Sequence, residues 1–192
     1  MSSGSELGKL KGPFHDGPLT LRPLMGADAG ELYMLVDAHR GALSRWLPWV
    51  PLTRAVADSS FFIASQSGFW KAGLAYGILV KGELAGTVGF QHGDERHDKV
   101  EIGYWLAPPF QGKGVATRAV RRVIQAAFSH TSLHRVGAKV QPDNGPSIAL
   151  LERLGFQYEG IERQGMRFAD GRRDHRVYSL LRNEFPPRAG AE

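Results

Sequence analysis

Cysteine is absent from the 192-residue sequence, and long uninterrupted apolar runs are absent as well. Without cysteine, a disulfide scaffold, a thiolate zinc site, an iron–sulfur cluster and a cysteine nucleophile are all excluded. The stretch from Leu74 to Val80 is among the longest apolar runs, whereas a membrane span needs about 20 apolar residues. We therefore expect no membrane contact and no need for an oxidising compartment, and the predicted location is the cytoplasm.

Charge of one sign is only slightly in excess. The 24 Lys and Arg residues outnumber the 19 Asp and Glu residues, which gives a formal net charge of +5. A surplus of this size is common among soluble enzymes, and no recognition motif or basic–aromatic stripe adds support for a nucleic-acid partner. The 42% of hydrophobic residues and 10% of aromatic residues are typical of one globular domain with a sizeable core.

Strand-like and helix-like patterns alternate from residue 17 onwards, and no repeat or linker divides them. Residues 1–16 are predicted to be a flexible leader, residues 17–185 a single domain, and residues 186–192 a flexible tail. The predicted strands are 19–24, 75–80, 84–91, 99–106, 135–140, 156–165 and 173–181, and the predicted helices are 28–39, 53–70, 114–130 and 145–154. This order predicts one mixed α/β unit. The 53–70 helix is expected to place Val56, Ser60, Ile63 and Ala64 on one face.

A glycine-rich turn joins the strand that ends at Leu106 to the helix that begins near residue 114. Gly112 and Gly114 would let backbone N–H groups approach an anion, and the helix N-terminus adds about half a positive charge. The turn has no G-x-x-x-x-G-K-[ST] motif, and Thr117 stands where a dinucleotide-binding G-x-G-x-x-G would have its third glycine. The residues predict a phosphate or pyrophosphate site, and a tight strand-to-helix turn is the alternative.

The same turn resembles the pyrophosphate loop of the GNAT superfamily of acetyl-CoA-dependent N-acetyltransferases, whose signature is Q/R-x-x-G-x-G/A. Gln111, Gly114 and Ala116 match that signature. Further motifs occur in the family's order, and they are E-I-G-Y-W-L at 101–106, L-H-R-V at 133–136, N-x-x-S at 144–147 and L-L-E-R-L-G-F at 150–156. With W-L-P-W at 46–49 and D-H-R-V-Y-S-L-L at 174–181, they are similar to the branch that contains the RimJ and RimL ribosomal-protein N-terminal acetyltransferases.

The resemblance covers about residues 17–185 and implies a fold and a cofactor. The implied fold is a single mixed, mostly antiparallel sheet that splays at a central V-shaped cleft, with helices on both faces and acetyl-CoA in the cleft. The backbone of Trp105, Leu106 and Ala107 would lie against the pantetheine arm. The pyrophosphate would be surrounded by the loop residues Gln111, Gly112, Lys113, Gly114, Val115, Ala116 and Thr117. The nearby arginines 118, 121 and 122 would either meet the 3′-phosphate or form a solvated helix face.

The implied catalytic residues are Ser147, Glu101 and Asn144. Asn144 would reach the pantetheine or the substrate amide, and Ser147 would lie near the thioester sulfur, although both residues could simply cap a helix. Many relatives carry a tyrosine four residues after the serine position, but this chain has Leu151 there, so Ser147 is expected to hydrogen-bond to the leaving thiolate. Glu101 either accepts a proton from the amine, directly or through water, or pairs with an arginine as an ordinary strand residue.

The acceptor is predicted to be a primary amine, and among primary amines the N-terminal α-amine of a protein or peptide is favoured. Such an amine, with a pKa of about 7.7–8.0, needs less help from a base than a lysine side chain at about 10.4. Tyr33, Trp46 and Trp49 precede the sheet where the family has its substrate-side elements, so they would wall the acceptor site, with core packing as the alternative.

Several alternatives remain open beside direct attack of the amine on acetyl-CoA in a ternary complex. The acceptor could be a polyamine or an amine antibiotic, or the chain could be an acyl-CoA-binding module without turnover. A homodimer is a further expectation, since relatives are often dimers. No metal site is predicted. His130 and His134 are four residues apart, as in metal-binding helices, but no third ligand is evident.

Overall fold

The computed structural model describes residue 10 and residues 12–66 and 73–185. The strands are β1 (Phe14–Asp16), β2 (Leu19–Pro23), β3 (Leu74–Val80), β4 (Glu83–Asp94), β5 (Lys99–Leu106), β6 (Arg135–Val140), β7 (Gln157–Phe168) and β8 (Gly171–Leu181). The helices are α1 (Ala29–Ala38), α2 (Arg40–Ser44), α3 (Val56–Ser65), α4 (Val115–His130) and α5 (Gly145–Arg153). The described segments contain no helix that is long and apolar enough to span a membrane.

The eight strands of the described residues form one sheet in the order β1-β2-β3-β4-β5-β6-β8-β7. Only β5 and β6 are parallel, and they are joined through α4, as a crossover between parallel strands requires. The β3–β4 hairpin turns at Lys81 and Gly82, which both have positive φ values, 53° and 88°. The mixed, mostly antiparallel sheet and the hairpin turn confirm the sequence prediction.

The chain enters the sheet earlier than predicted. β1 pairs with β2, and Leu10 and Phe14 are buried in the main core, where the Phe14 ring lies 5.6 Å from that of Tyr76. Residues 10 and 12–16 therefore belong to the folded domain rather than to a flexible leader, because these two apolar side chains have a core to pack into. The rest of the predicted leader and the predicted tail, residues 186–192, lie outside the described residues.

Helices cover both faces of the sheet. α4 and α5 pack on one face, where the predicted apolar stripe of α4 is buried in the main core. α1 and α3 pack on the other face, where Ala29, Leu32 and Ile63 meet Leu84. The predicted buried face of α3 is wrong except for Ile63. The small Ser59 is buried instead, because it lies one helical turn before Ile63 on the side that meets α1, whereas Val56 is 44% exposed.

The sheet splits between β5 and β6. These strands pair only at Lys99↔Arg135, Val100↔Val136 and Glu101↔Gly137. Beyond those pairs, β5 continues to residue 106 against β4 alone, and β6 continues to residue 140 against β8 alone. We call the opening between residues 102–106 of β5 and residues 138–140 of β6 the split. It confirms the V-shaped cleft that the sequence predicts.

Candidate active site

The backbone of β5 has a free edge that faces the split. The N–H of Ala107 donates to the carbonyl of Ala85 over 2.9 Å, so Ala107 directs its backbone towards β4. Backbone groups alternate sides along an antiparallel ladder. Trp105 therefore also faces β4, and the carbonyl of Trp105 lies against Gly86 there. Tyr104 and Leu106 direct their backbone groups towards the split, so of the three residues expected against the pantetheine arm only Leu106 has its backbone there, and those of Trp105 and Ala107 face β4.

The glycine turn leads from the split to the N-terminus of α4. Gly112 and Gly114 both have a φ of 72°, the left-handed conformation that favours glycine, and a Cβ added at either position would meet nothing within 4 Å. The first helical bond runs from the N–H of Arg118 to the carbonyl of Gly114 over 3.1 Å. The N–H groups of residues 115–117 therefore have no partner within the helix. The turn presents open space lined by unpaired donors, which suits a pyrophosphate.

Two side chains brace the glycine turn. Gln111 donates from Nε2 to the carbonyl of Leu106 over 2.7 Å, and Lys113 donates from Nζ to the carbonyl of Pro109 over the same distance. Gln111 thereby ties the turn to the end of β5 at the mouth of the split. The signature glutamine thus has a local structural reason: it connects the part of β5 that faces the split to the anion-binding turn.

Asn144 and Ser147 lie at the N-terminus of α5. Asn144 caps the helix, because its Oδ1 accepts from the N–H of Ser147 over 3.3 Å, and this bond leaves the Nδ2 amide as a donor. The Ser147 hydroxyl lies 2.7 Å from the hydroxyl of Tyr104, so α5 and β5 touch across the split. Leu151 is only 1% exposed and belongs to the core, so the position where many relatives carry a tyrosine contributes nothing to the cleft.

Tyr104 is the residue that sequence reasoning missed. It packs against the core on the α4 and α5 face, and its hydroxyl reaches Ser147. Burial raises the pKa of Tyr104 to about 12, although the bond to Ser147 opposes that rise. The phenol is therefore protonated near neutral pH. The sequence feature that could have indicated Tyr104 is its place in the E-I-G-Y-W-L motif, two residues before β5 ends.

Glu101 lies on the opposite face of the sheet from Tyr104, because successive strand residues alternate faces. The Nζ of Lys139 is 3.2 Å from Oε1 of Glu101 and 3.0 Å from Oε2 of Glu162. Burial alone would lower the pKa of Lys139, but its bonds to the two carboxylates raise it above its ordinary value. Glu101 therefore has a charge partner, as the ordinary-strand alternative expects, but that partner is a lysine.

A loop over the same face bridges the two halves of the sheet. On the β5 side, the Trp49 ring lies 6.0 Å from that of Trp105. On the β6 side, the Nε2 of Gln141 donates to the carbonyl of Trp46 over 3.2 Å, and Arg173 bonds to both the carbonyl of Arg45 and Gln141. The structure thus brings the ring of Trp49 and the backbone of Trp46 to the split, on the face opposite α4.

Tyr33 is not brought to the split by any of its contacts in the structure. Its hydroxyl donates to the carbonyl of Arg54 over 3.1 Å, which holds α1 against the segment that precedes α3.

The arginines of α4 have protein partners. Arg118 pairs with Asp16 over 2.8 Å, Arg121 lies over the ring of Phe185, and the Arg122 guanidinium lies 5.1 Å from the centre of the Phe14 ring. The three arginines therefore lie against other parts of the protein, which neither expectation, the 3′-phosphate contact or the solvated helix face, described.

Comparison with known proteins identifies the class of this chain. Residues 18–157 match the family model described as the acetyltransferase (GNAT) domain. The chain therefore belongs to the GNAT acetyltransferase family, as the motif around Gln111 and Gly114 predicts, and it is an acetyl-CoA-dependent N-acetyltransferase. Within the described residues, no group of three or more potential ligands is arranged to hold a metal ion.

Three relatives show what this chain is similar to within the family. "Putative ribosomal N-acetyltransferase YdaF" of Bacillus subtilis (strain 168) is 32% identical over 173 residues, which cover 87% of this chain and 93% of that protein. The structure of the microcin C7 self-immunity acetyltransferase MccE, in complex with acetyl-CoA and AMP, has a TM-score of 0.80 and 29% identity, covering 86% of this chain and 93% of that one. Mycobacterium smegmatis RimJ, in complex with a CoA disulfide, has a TM-score of 0.79 and 28% identity, covering 88% of this chain and 84% of that one.

Proposed function

We propose that this enzyme transfers the acetyl group of acetyl-CoA to the N-terminal α-amine of a protein or peptide, by direct attack in a ternary complex. The observation that carries the proposal is the split, which opens the sheet between two faces of different chemistry. The hydroxyls of Tyr104 and Ser147 and the N–H groups that begin α4 lie on the α4 and α5 face. A carboxylate and a tryptophan-bearing loop lie on the other face.

The anion-binding turn supports the cofactor half of the proposal. The open space at Gly112 and Gly114 and the free N–H groups at the start of α4 suit the pyrophosphate of acetyl-CoA. The free backbone edge of β5 suits the amide groups of the pantetheine arm, which would add to the edge as a strand does. This arrangement would place the thioester within the split, with its sulfur towards Ser147.

The attacking amine would enter from the face that carries Glu101. A bond forms between the amine nitrogen and the acetyl carbon, and the bond from that carbon to sulfur breaks. The N–H of Leu106 or Tyr104 would donate to the carbonyl oxygen as charge develops there, and Ser147 would donate to the departing thiolate. Glu101 would take the proton that the amine loses, directly or through water. Asn144 would use its Nδ2 amide to hold the substrate amide.

The contacts of Glu101 favour an α-amine over a lysine side chain. Its carboxylate is already bonded to Lys139, so it is a shared rather than a dedicated base. An α-amine is about a tenth neutral near pH 7, and positioning of that neutral fraction against the thioester supplies much of the rate. Trp46 and Trp49 would line the approach of the peptide, since their loop covers the split on this face.

The cofactor half is tested by calorimetric titration of acetyl-CoA into Gly112→Asp and Gly112→Asn variants. Both replacements have the same shape and both tolerate a positive φ, so only the carboxylate charge distinguishes them. The Asp variant should bind acetyl-CoA at least about tenfold more weakly than the Asn variant, because its charge would face the pyrophosphate. Equal affinities for the two variants would contradict the predicted pyrophosphate position.

The acceptor half is tested by following CoA release with a thiol-reactive dye. The chain has no cysteine, so the enzyme itself gives no background. Peptides with a free N-terminus and no lysine should be acetylated faster than N-terminally blocked peptides that contain one lysine. A preference for the blocked lysine peptide, or for a polyamine, would overturn the assignment of the acceptor.

A further inference from the structure

Tyr104 joins two parts of the cleft that no backbone pairing connects. It belongs to the part of β5 that has separated from β6, and Ser147 belongs to the first turn of α5. The hydroxyl groups of the two residues are 2.7 Å apart, and the carbonyl of Ser147 is a weaker alternative acceptor at 3.5 Å. This contact lies beside the place where the sulfur of acetyl-CoA is proposed to lie.

The chemistry of the two hydroxyls sets the direction of the bond. Tyr104 remains a neutral phenol over the working pH range, since burial raises its pKa to about 12. A phenol is a stronger donor than an aliphatic alcohol, and Ser147 has lone pairs that accept. When Tyr104 donates to Oγ of Ser147, the serine proton is left to point elsewhere. Hydrogen bonds in such a chain also strengthen one another.

We propose that Tyr104 is a positioning residue that donates its hydroxyl proton to Oγ of Ser147 and so directs the Ser147 proton at the departing thiolate of CoA. When the bond from carbon to sulfur breaks, sulfur keeps the electron pair and receives the serine hydrogen bond. Tyr104 and Ser147 both keep their protons, and the thiol proton comes later from water. The phenol thus comes from β5, in a chain that has Leu151 at the position where many relatives carry a tyrosine.

This inference rests on the proposed function, so its first test needs cofactor binding but no amine acceptor. Free CoA carries a thiol with a pKa of about 8.5, whereas acetyl-CoA has no such group. Calorimetric affinities for both molecules are measured from pH 7 to pH 9.5. In the wild type, the affinity for CoA should rise with pH relative to that for acetyl-CoA, because the hydroxyl pair stabilises the thiolate.

Tyr104→Phe should remove about tenfold of that relative rise, and Ser147→Ala should remove at least as much. Tyr76→Phe is the matched control. Tyr76 is a buried tyrosine on β3, and both Tyr76 and Tyr104 pair with Val88 of β4, so their side chains lie on the same face of the sheet. The Tyr76 hydroxyl donates to the carbonyl of Leu10, two strands away from the split. Its loss should leave the rise unchanged. An unchanged rise in Tyr104→Phe, with CoA still bound, would overturn the role of Tyr104. Failure of the wild type to bind either molecule would instead overturn the proposed function.

A double-mutant cycle in kcat tests the same link during turnover. Tyr104→Phe should lower kcat about tenfold with little change in the KM for acetyl-CoA, and it should have no further effect once Ser147 is alanine. Independent, multiplicative losses at the two positions would show that Tyr104 does not act through Ser147. If the Tyr104 variant fails to fold, Ser147→Ala still tests the pair. An unchanged rise in CoA affinity with pH in Ser147→Ala would refute the proposal.

Discussion

Replacing Gly86 with alanine should disturb the cofactor-binding edge of β5 from the opposite side. A Cβ at Gly86 would lie 2.1 Å from the carbonyl oxygen of Trp105 and 2.9 Å from Cα of Leu106. Because real Cβ contacts are essentially never shorter than 3.0 Å, β5 would have to move by at least about 0.9 Å. That shift would displace the backbone groups of Leu106, which face the split. Overpacking of this kind costs about 1–3 kcal/mol of stability.

The same shift should weaken acetyl-CoA binding, because a displacement of about 1 Å can cost a factor of 100 at a positioned site. Two variants serve as controls. Gly89→Ala creates a similar clash, 2.4 Å from the carbonyl oxygen of Leu74, but on the β3 side. Gly103→Ala lies in β5 itself, and its nearest neighbours would be side-chain atoms of Gln91, at 3.6 Å or more.

Denaturant unfolding and calorimetric titration with acetyl-CoA separate the two effects. The Gly86 and Gly89 variants should both lose about 1–3 kcal/mol of unfolding free energy, while the Gly103 variant should stay within about 1 kcal/mol of the wild type. Only the Gly86 variant should also bind acetyl-CoA at least about tenfold more weakly. Wild-type affinity in a folded Gly86 variant, or an equal loss of affinity in the Gly89 variant, would refute the assignment of the β5 edge.

Three further predictions concern charged groups. The free energy of unfolding should fall as the pH drops below about 6.5, because burial lowers the pKa of His175 and the unfolded chain then binds the proton more readily. Denaturant unfolding between pH 5 and 7.5 measures this dependence of stability on pH. His175→Gln should make the dependence weaker. Arg22→Met should cost about 2 kcal/mol in the same assay, since it leaves the nearly buried carboxylate of Asp28 without its bidentate partner. Lys139→Met should raise kcat/KM for the amine acceptor by about threefold, because it frees the Glu101 carboxylate to accept the proton of the amine, whereas Lys99→Met should leave it unchanged.

Local patterns were enough to place most of the secondary structure, although they missed β1 and α2. β6 and the helix that becomes α4 were predicted from apolar spacing, and the structure has them at Arg135–Val140 and Val115–His130. Asn144 was expected to cap α5, and its Oδ1 does so. Such features depend on residues within a few positions of one another. The same logic failed for α3, whose buried face is decided by contact with α1 rather than by its own apolar residues.

The contacts that define the site join residues far apart in the chain. Tyr104 and Ser147 are 43 positions apart, and nothing in either motif shows that their hydroxyls meet. The pairing of Lys139 with Glu101 and Glu162 depends on the register of β5, β6, β8 and β7. A shift of one residue in any of these strands would turn the side chains to the opposite face. Register is set by the packing of the whole sheet, so it could not be read from spacing within one strand.

The sequence by itself determined the family, the order of the elements and the anion-binding turn, because glycine conformation, helix capping and apolar periodicity are local properties of the chain. Only the tertiary structure decided where β5 leaves β6, which backbone groups of β5 face that opening, and which side chains meet across it. These features arise when distant segments compete for the same core and the same ladder positions. The interaction energies that decide these features depend on pairs of distant segments, so the sequence of either segment alone does not predict them.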